Sequence, residues 1–194
     1  MNGYMAEHHV NTPLTEEVVM AFHAGDVVTI TGHIFGLRDA TLMRMFGQGV
    51  EIPPDLTGAV CLHTAPGVKP DGDKFIKVSI GTTTSTRMNR FTGDLLGKGV
   101  KAITGKGALL EDSTLLLQKH HAVYLGLVGG TAASETMQIE AIEEVWWQDL
   151  MPECLWKFRV HEFGPMIVGI DAYGRNLYLE TQAQAMETIK LLRL

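Results

Sequence analysis

Two rhythms of hydrophobic and polar positions run along this chain. Segments rich in β-branched residues, "DVVTITGHIF" (26–35) and "FIKVSI" (75–80), predict strands. "AVCLHT" and "AVYLGLVGG" are almost uniformly apolar, the pattern of strands buried on both faces in the interior of a parallel sheet. "VKAIT" predicts a further strand ending in the loop "GKG". Between the strands the spacing turns helical. "PLTEEVVMAF" predicts a helix with Thr15 as N-cap and Glu16 and Glu17 favourable to the dipole. "RDATLMRMFGQG" predicts one capped by Asp39 and ended by Gly47, and "DSTLLLQKH" one capped by Asp112 or Ser113. "PGVKPDGDK" is a turn-rich connection and "TAASETM" a short helix. "IEAIEEVWW" then alternates like an exposed strand. "WKFRVHEF" and "PMIVGID" predict two more strands, and "TQAQAMETIKLL" a closing amphipathic helix.

Strands alternate with short helices over the first two-thirds and cluster afterwards. That order predicts an α/β fold of three layers, with a largely parallel central sheet and a second, smaller sheet. No repeat or linker divides the chain, so a single domain over residues 1–194 is expected, long enough to bury roughly 70% of its unfolded surface. The formal net charge of −6 argues against a nucleic-acid partner, which needs a basic face. The opening stretch lacks a basic region followed by an apolar core, and no run is long enough to span a membrane. Two cysteines, Cys61 and Cys154, fit a reducing cytoplasm. They are too few to hold an iron–sulfur cluster unaided.

Candidate chemistry sits at three junctions that follow predicted strands. In "SIGTTTSTRMNRF" (79–91), four hydroxyl side chains precede Arg87. Such a run serves as a helix cap, as an anion site, or as both. "GLRDA" puts Arg38 beside Asp39 at a helix start, and "TGKG" puts Lys106 between two glycines. Strand C-termini of a parallel sheet share one edge, so Arg38, Thr83, Thr84, Arg87 and Lys106 could meet in one crevice suited to a dicarboxylate. Taken singly, Arg38 and Lys106 also read as ordinary surface charges. Other signals fail. "GVKAITGKG" imitates a phosphate-binding loop, but Gly99 to Gly105 is one residue too long and Gly107 replaces the magnesium-binding hydroxyl. The adjacent pairs His8, His9 and His120, His121 lack metal-ligand spacing. Trp146, Trp147 and Trp156 read as packing residues.

The stretches "GDVVTITGHIFGLRDA", "IPPDLTGAVCLHTAPGV", "VSIGTTTSTRM", "ITGKG", "HHAVYLGLVGG" and "LMPECLWKFRVHEFGPMIVGIDAYGRNL", taken in order, resemble the β subunit of two-subunit class I fumarases and L(+)-tartrate dehydratases, which is also the C-terminal domain of single-chain class I fumarases. The resemblance implies a swivelling β/β/α domain that closes over a [4Fe–4S] cluster held by a fumarase α subunit, in a cytoplasmic α2β2 assembly. It implies that Arg38 and Arg87 grip substrate carboxylates and that Lys106 neutralises further charge. It implies that Thr83, paired with Thr84, stands at the position of proton transfer, opposite an α-subunit aspartate. Thr82 departs from the family's usual proline before the threonine pair. The expected reaction is reversible hydration of fumarate to malate. L(+)-tartrate dehydration is the alternative, and a non-catalytic anion-binding module is the rival from another class.

Overall fold

The computed structural model describes residues 5–192, so the first four residues of the opening stretch lie outside it. The chain runs β1 (Glu7–Asn11), α1 (Glu16–Met20), β2 (Val27–Leu37), α2 (Asp39–Leu42), β3 (Val60–His63), β4 (Gly67–Asp71) and β5 (Lys74–Ser79). It continues with α3 (Thr92–Gly97), β6 (Ala102–Gly105), α4 (Asp112–Lys119), β7 (Val123–Gly126) and α5 (Ala132–Gln138). The last elements are β8 (Ile139–Trp146), β9 (Leu155–Ile170) and α6 (Leu177–Leu192). A wider π turn, Met43–Gly47, prolongs α2, and a 3-10 helix, Ser85–Phe91, leads into α3. The result is a mixed α/β fold in which β1, β2, β3, β6 and β7 are successive parallel neighbours.

β9 closes this sheet. It runs antiparallel along β2 from Gly36 opposite Trp156 to Val27 opposite Ile167, and its far end pairs with β7. β2, β3, β6, β7 and β9 therefore form a ring, with β8 on the outer side of β9. Alternate side chains then fall into two cores. Val28, Ile30, Val60, Leu62, Ala102, Val123, Phe158 and Met166 share one buried cluster. Leu37, Cys61, Ile103 and Tyr124 share the other with Leu42, Met88, Leu95 and Leu117 from the helical side. The continuous burial of β3 and β6 follows, since both their faces are covered.

Several elements differ from expectation. β9 is one strand of 16 residues rather than two, because Glu162 and Gly164 take positive φ and bend the chain without breaking its ladder. The connection "PGVKPDGDK" is half strand, since β4 and β5 form a two-stranded antiparallel hairpin. Asp39 is the first helical residue of α2, not its cap; extended Arg38 occupies the cap position and makes no side-chain cap bond. α4 likewise starts without a side-chain cap, the Ser113 hydroxyl donating instead to Asn89. Thr15 does cap α1, accepting from the Val18 N–H at 3.3 Å. α6 buries none of its residues, and Met186 and Leu192 of its apolar positions stand exposed.

The β2–β9 seam has no spare room at Gly36, where a Cβ would lie 2.5 Å from Phe158 Cε2 and 2.8 Å from Thr64 Cγ2. Gly36→Ala should therefore destabilise the fold by about 1–3 kcal/mol, the usual cost of overpacking. Urea denaturation checks this, and an unchanged midpoint would show that the seam can relax.

Candidate functional site

β2, β3 and β6 are parallel neighbours, so their last residues, Leu37, His63 and Gly105, reach one edge of the sheet. The hydroxyl run crosses that edge as a backbone clamp. Thr83 N–H donates to His63 O at 2.7 Å, Lys106 N–H donates to Thr83 O at 3.1 Å, and Ser85 N–H donates to Lys106 O at 3.0 Å. Thr82 and Thr84 form isolated bridges with Thr64 and Lys106. These bonds take up the Thr83 and Ser85 N–H groups. The helix that follows starts at Ser85 as a 3-10 turn with no side-chain cap, so the capping role expected of the run is not seen. Gly105 makes the clamp possible: a Cβ there would fall on Ser85 Oγ and lie 3.3 Å from Thr83 O.

The fates of the hydroxyls differ. Thr82 Oγ1 reaches the backbone carbonyl of His63 at 3.5 Å, Ser85 is fully buried, and Thr86 Oγ1 donates to Ala108 O at 2.7 Å. Among the described residues, only Thr83 and Thr84 in this run have hydroxyls without a hydrogen-bond partner. Thr83 is half-buried and Thr84 exposed.

The two arginines meet on one carboxylate. Asp39 Oδ2 lies 3.2 Å from Arg38 Nε and 3.0 Å from an Arg87 terminal nitrogen. Arg38 Nε also lies 3.2 Å from Glu153 Oε1. These two cations and two carboxylates cancel, so the cluster is not the bare positive patch that spacing alone suggests. What it leaves open are guanidinium forks that are only partly used. Among the described residues, the hydrogen bond that Arg38 donates to a side chain comes from Nε, to Asp39, and neither terminal nitrogen donates one. Lys106 is tied to the same edge by its backbone, and its side chain passes Gly129, whose Cβ would meet Lys106 Cδ at 3.2 Å.

Three further residues shape this edge and carry no motif of their own. Glu153 accepts from the Ala40 N–H at 2.8 Å and takes the Thr41 hydroxyl on its backbone carbonyl, so it caps α2 from far along the chain while holding Arg38. The resemblance stretch "LMPECLWKF" contained it, without a role. His63 is buried at 1% exposure, with Nδ1 3.0 Å from Ser85 Oγ. Burial pushes its imidazole down to about 4, against the opposing pull of the Asp39 charge, so it is neutral at pH 7. Glu135 of α5 is 2% exposed and accepts from the Thr131 hydroxyl at 2.5 Å. Burial raises its carboxyl above the ordinary range, while the Thr131 hydroxyl, the Thr82 N–H and the Lys106 charge counter that. His63 Nε2 and Glu135 Oε2 are the buried side-chain polar atoms without a partner among the described residues, and both residues flank the clamp.

Glu135 has a measurable signature. Its folded-state affinity for a proton exceeds the unfolded value near 4.5, so the folded chain binds more protons just above that pH. Its contribution to stability is then full below pH 4.5 and is lost as pH rises through the folded value. Glu135→Gln should gain stability relative to wild type as pH rises from 4.5, then level off. Chemical denaturation across the pH range checks this, and a difference that does not vary with pH would place Glu135 in water.

The thiols do not fit an iron–sulfur centre. Cys61 and Cys154 are both buried and free, and burial pushes them up to about 12 and about 11, which disfavours thiolate ligands. Among the described residues no group of three or more His, Cys, Asp or Glu is placed to hold a metal ion.

With this geometry in view, comparison with known proteins is informative. The family model for the fumarase C-terminus matches residues 4–181. The β subunit of L(+)-tartrate dehydratase from Escherichia coli K12 is 39% identical over 175 residues, covering 89% of this chain and 87% of that one. A Methanocaldococcus jannaschii protein provisionally named as the same subunit is 31% identical over 182 residues, covering 91% of this chain and 93% of its own. A Geobacillus stearothermophilus protein provisionally named class I fumarate hydratase is 33% identical over 187 residues, where this chain spans 35% of its length. The family match extends over nearly the whole chain, through the clamp and both arginines, and the chain belongs to the fumarase C-terminus family, as a hydro-lyase β subunit of the class I fumarate hydratase and tartrate dehydratase kind.

Proposed function

We propose that this chain supplies the carboxylate-gripping and proton-handling side of a hydro-lyase active site that hydrates fumarate reversibly to malate. In this reading it works as a single cytoplasmic domain, three-layered and swivelling, that closes on an α subunit in an α2β2 assembly. The α subunit carries the [4Fe–4S] cluster. The observation that supports the reading best is the pairing of two partly used guanidinium forks with two free threonine hydroxyls on one sheet edge.

The chemistry assigned to this chain concerns charge and one proton. Removing a proton beside a carboxylate builds negative charge on that carboxylate. Fixed guanidinium groups there stabilise the transition state more than the ground state. Arg38 and Arg87 take this role, with Asp39 and Glu153 holding them in register. Lys106 adds a third cation, and Thr84 offers a hydroxyl donor to a substrate oxygen. Thr83 holds or passes the proton at the substrate carbon. An alcohol is a weak base, so this step depends on neighbouring cations that favour its ionised form. L-tartrate is the second reading, favoured by the 39% identity to the tartrate dehydratase β subunit.

Reconstitution tests the proposal. The isolated chain should remain colourless after anaerobic iron–sulfide treatment and should not hydrate fumarate. Mixing with a reconstituted α subunit should produce oxygen-sensitive turnover. Activity of the chain alone would overturn the half-site reading, and an inert mixture would favour the anion-binding module. In the active complex, Arg87→Met should lower kcat/KM at least ~100-fold, the scale of losing charge-assisted fork bonds. Activity within about threefold of wild type would remove Arg87 from the site. The ratio of kcat/KM for malate and L-tartrate decides the substrate, and a higher value for tartrate would reverse the assignment.

A further inference from the structure

Behind the clamp lies a short row of buried polar groups that the proposed chemistry does not use. Ser85 Oγ sits 3.0 Å from His63 Nδ1 and 2.8 Å from the Tyr124 hydroxyl, which is itself 2.8 Å from Gly107 O. His63, Ser85 and Tyr124 all have 1% exposure or less. The proton positions follow from counting donors. Gly107 O can only accept, so the single Tyr124 proton goes to it; otherwise two bare oxygens would face each other at 2.8 Å. The Ser85 proton must then point to Tyr124, and the proton in the remaining contact must come from His63 Nδ1. One backbone carbonyl thus sets the direction of the whole row and the tautomer at its far end. Nε2 is left as a bare lone pair, consistent with its lack of any partner.

We propose that His63 is a positioning residue for the anion site: through Ser85 it pins the first turn that carries Arg87, and through its backbone carbonyl it pins Thr83. Both ends of segment 83–85 are then attached to one residue. The Ser85 hydroxyl hangs from the imidazole, and the Thr83 N–H from the carbonyl of the same histidine at 2.7 Å. Arg87 follows Ser85 within the same 3-10 turn, so a tilt of that turn displaces its guanidinium. The neutral state matters too. An imidazolium here would be a third cation beside Asp39, competing with Arg38 and Arg87 for the carboxylate that aligns them. Gly105 belongs to the same device, because any side chain there would occupy the place of Ser85 Oγ.

The activity arm of the test rests on the proposed hydro-lyase reading, and the spectroscopic arm does not. In the full-length chain labelled with ¹⁵N at histidine, and assigned by loss of one signal in His63→Asn, His63 should show a protonated Nδ1 and an unprotonated Nε2 at pH 7. The opposite tautomer would overturn the proposal whatever the enzyme does. In the complex with the α subunit, His63→Asn places an amide where Nδ1 stood and keeps the donor to Ser85, whereas His63→Gln moves the amide to the Nε2 position. We expect KM for malate within about threefold of wild type for His63→Asn, but raised ~10-fold or more for His63→Gln, with kcat changing less. Tyr124→Phe, which frees the Ser85 proton to turn, should raise KM by about threefold or more while the chain stays folded. Equal losses in the Asn and Gln variants, or a wild-type KM in Tyr124→Phe, would reduce the row to core packing. A wild-type complex without turnover would count against the hydro-lyase reading alone, and the tautomer would still decide this one.

Discussion

The antiparallel ladder between β2 and β9 is the constraint on which the other features rest. Its register places Trp156 opposite Gly36, so the residues just before β9 arrive beside those just after β2. Glu153 therefore reaches Arg38 and the Ala40 N–H at the start of α2. A carboxylate at a helix start is favourable in itself, and here the same group also orients a guanidinium. Slip this ladder by one residue and every β9 side chain changes face. The inner core would lose Phe158 and Met166, and Arg38 would lose its holder. Stability and site geometry share one set of backbone hydrogen bonds.

The electrostatics of the site are those of matched charges rather than of an excess. In the half-exposed Arg87 contact, a pair contributes at most about 1 kcal/mol to stability. Its value lies in direction. Asp39 sets the spacing of two planar forks while leaving most of their donors open, and in the proposed role a carboxylate would be read by that geometry more than by charge. This suits a chain whose formal net charge is −6, where a broad positive field is absent and selectivity must be built locally.

Much of this was legible in the sequence, and the part that was not has a common cause. Apolar runs revealed β3 and β7 because burial on both faces leaves a composition signal. The junctions after β2 and β6 were legible because parallel strands end together, whereas the hydroxyl run follows β5, which belongs to the separate hairpin, and reaches that edge only through its backbone bonds to His63 and Lys106. Arg38 and Arg87 do meet on one carboxylate, and Lys106 is bonded to the threonine turn. Pairing partners left no such mark. Glu153 acts on Ala40 across 113 positions, and nothing in its neighbourhood announces that reach. His63 read as the end of an apolar strand and Glu135 as a helix polar residue; both matter through what is folded against them. β9 was split in expectation because glycine and proline punctuate it, yet ladder bonds on both sides carry the strand through the bend. The apolar positions of α6 gave a helical rhythm, but rhythm alone does not say which surface a helix covers.

The closed ring of strands has a consequence for how the molecule is made. β2 is synthesised well before β9, the strand that completes its outer edge. At roughly 5–20 residues per second on a ribosome, the nascent chain holds an open β2 edge for several seconds or more. Contacts so distant in sequence are slow to form and leave apolar strand edges exposed meanwhile. Completion of this fold therefore waits on β9. Truncation or ribosomal stalling between β7 and β9 would release a chain with every parallel pairing available and no means of closing, a substrate for chaperones and proteases.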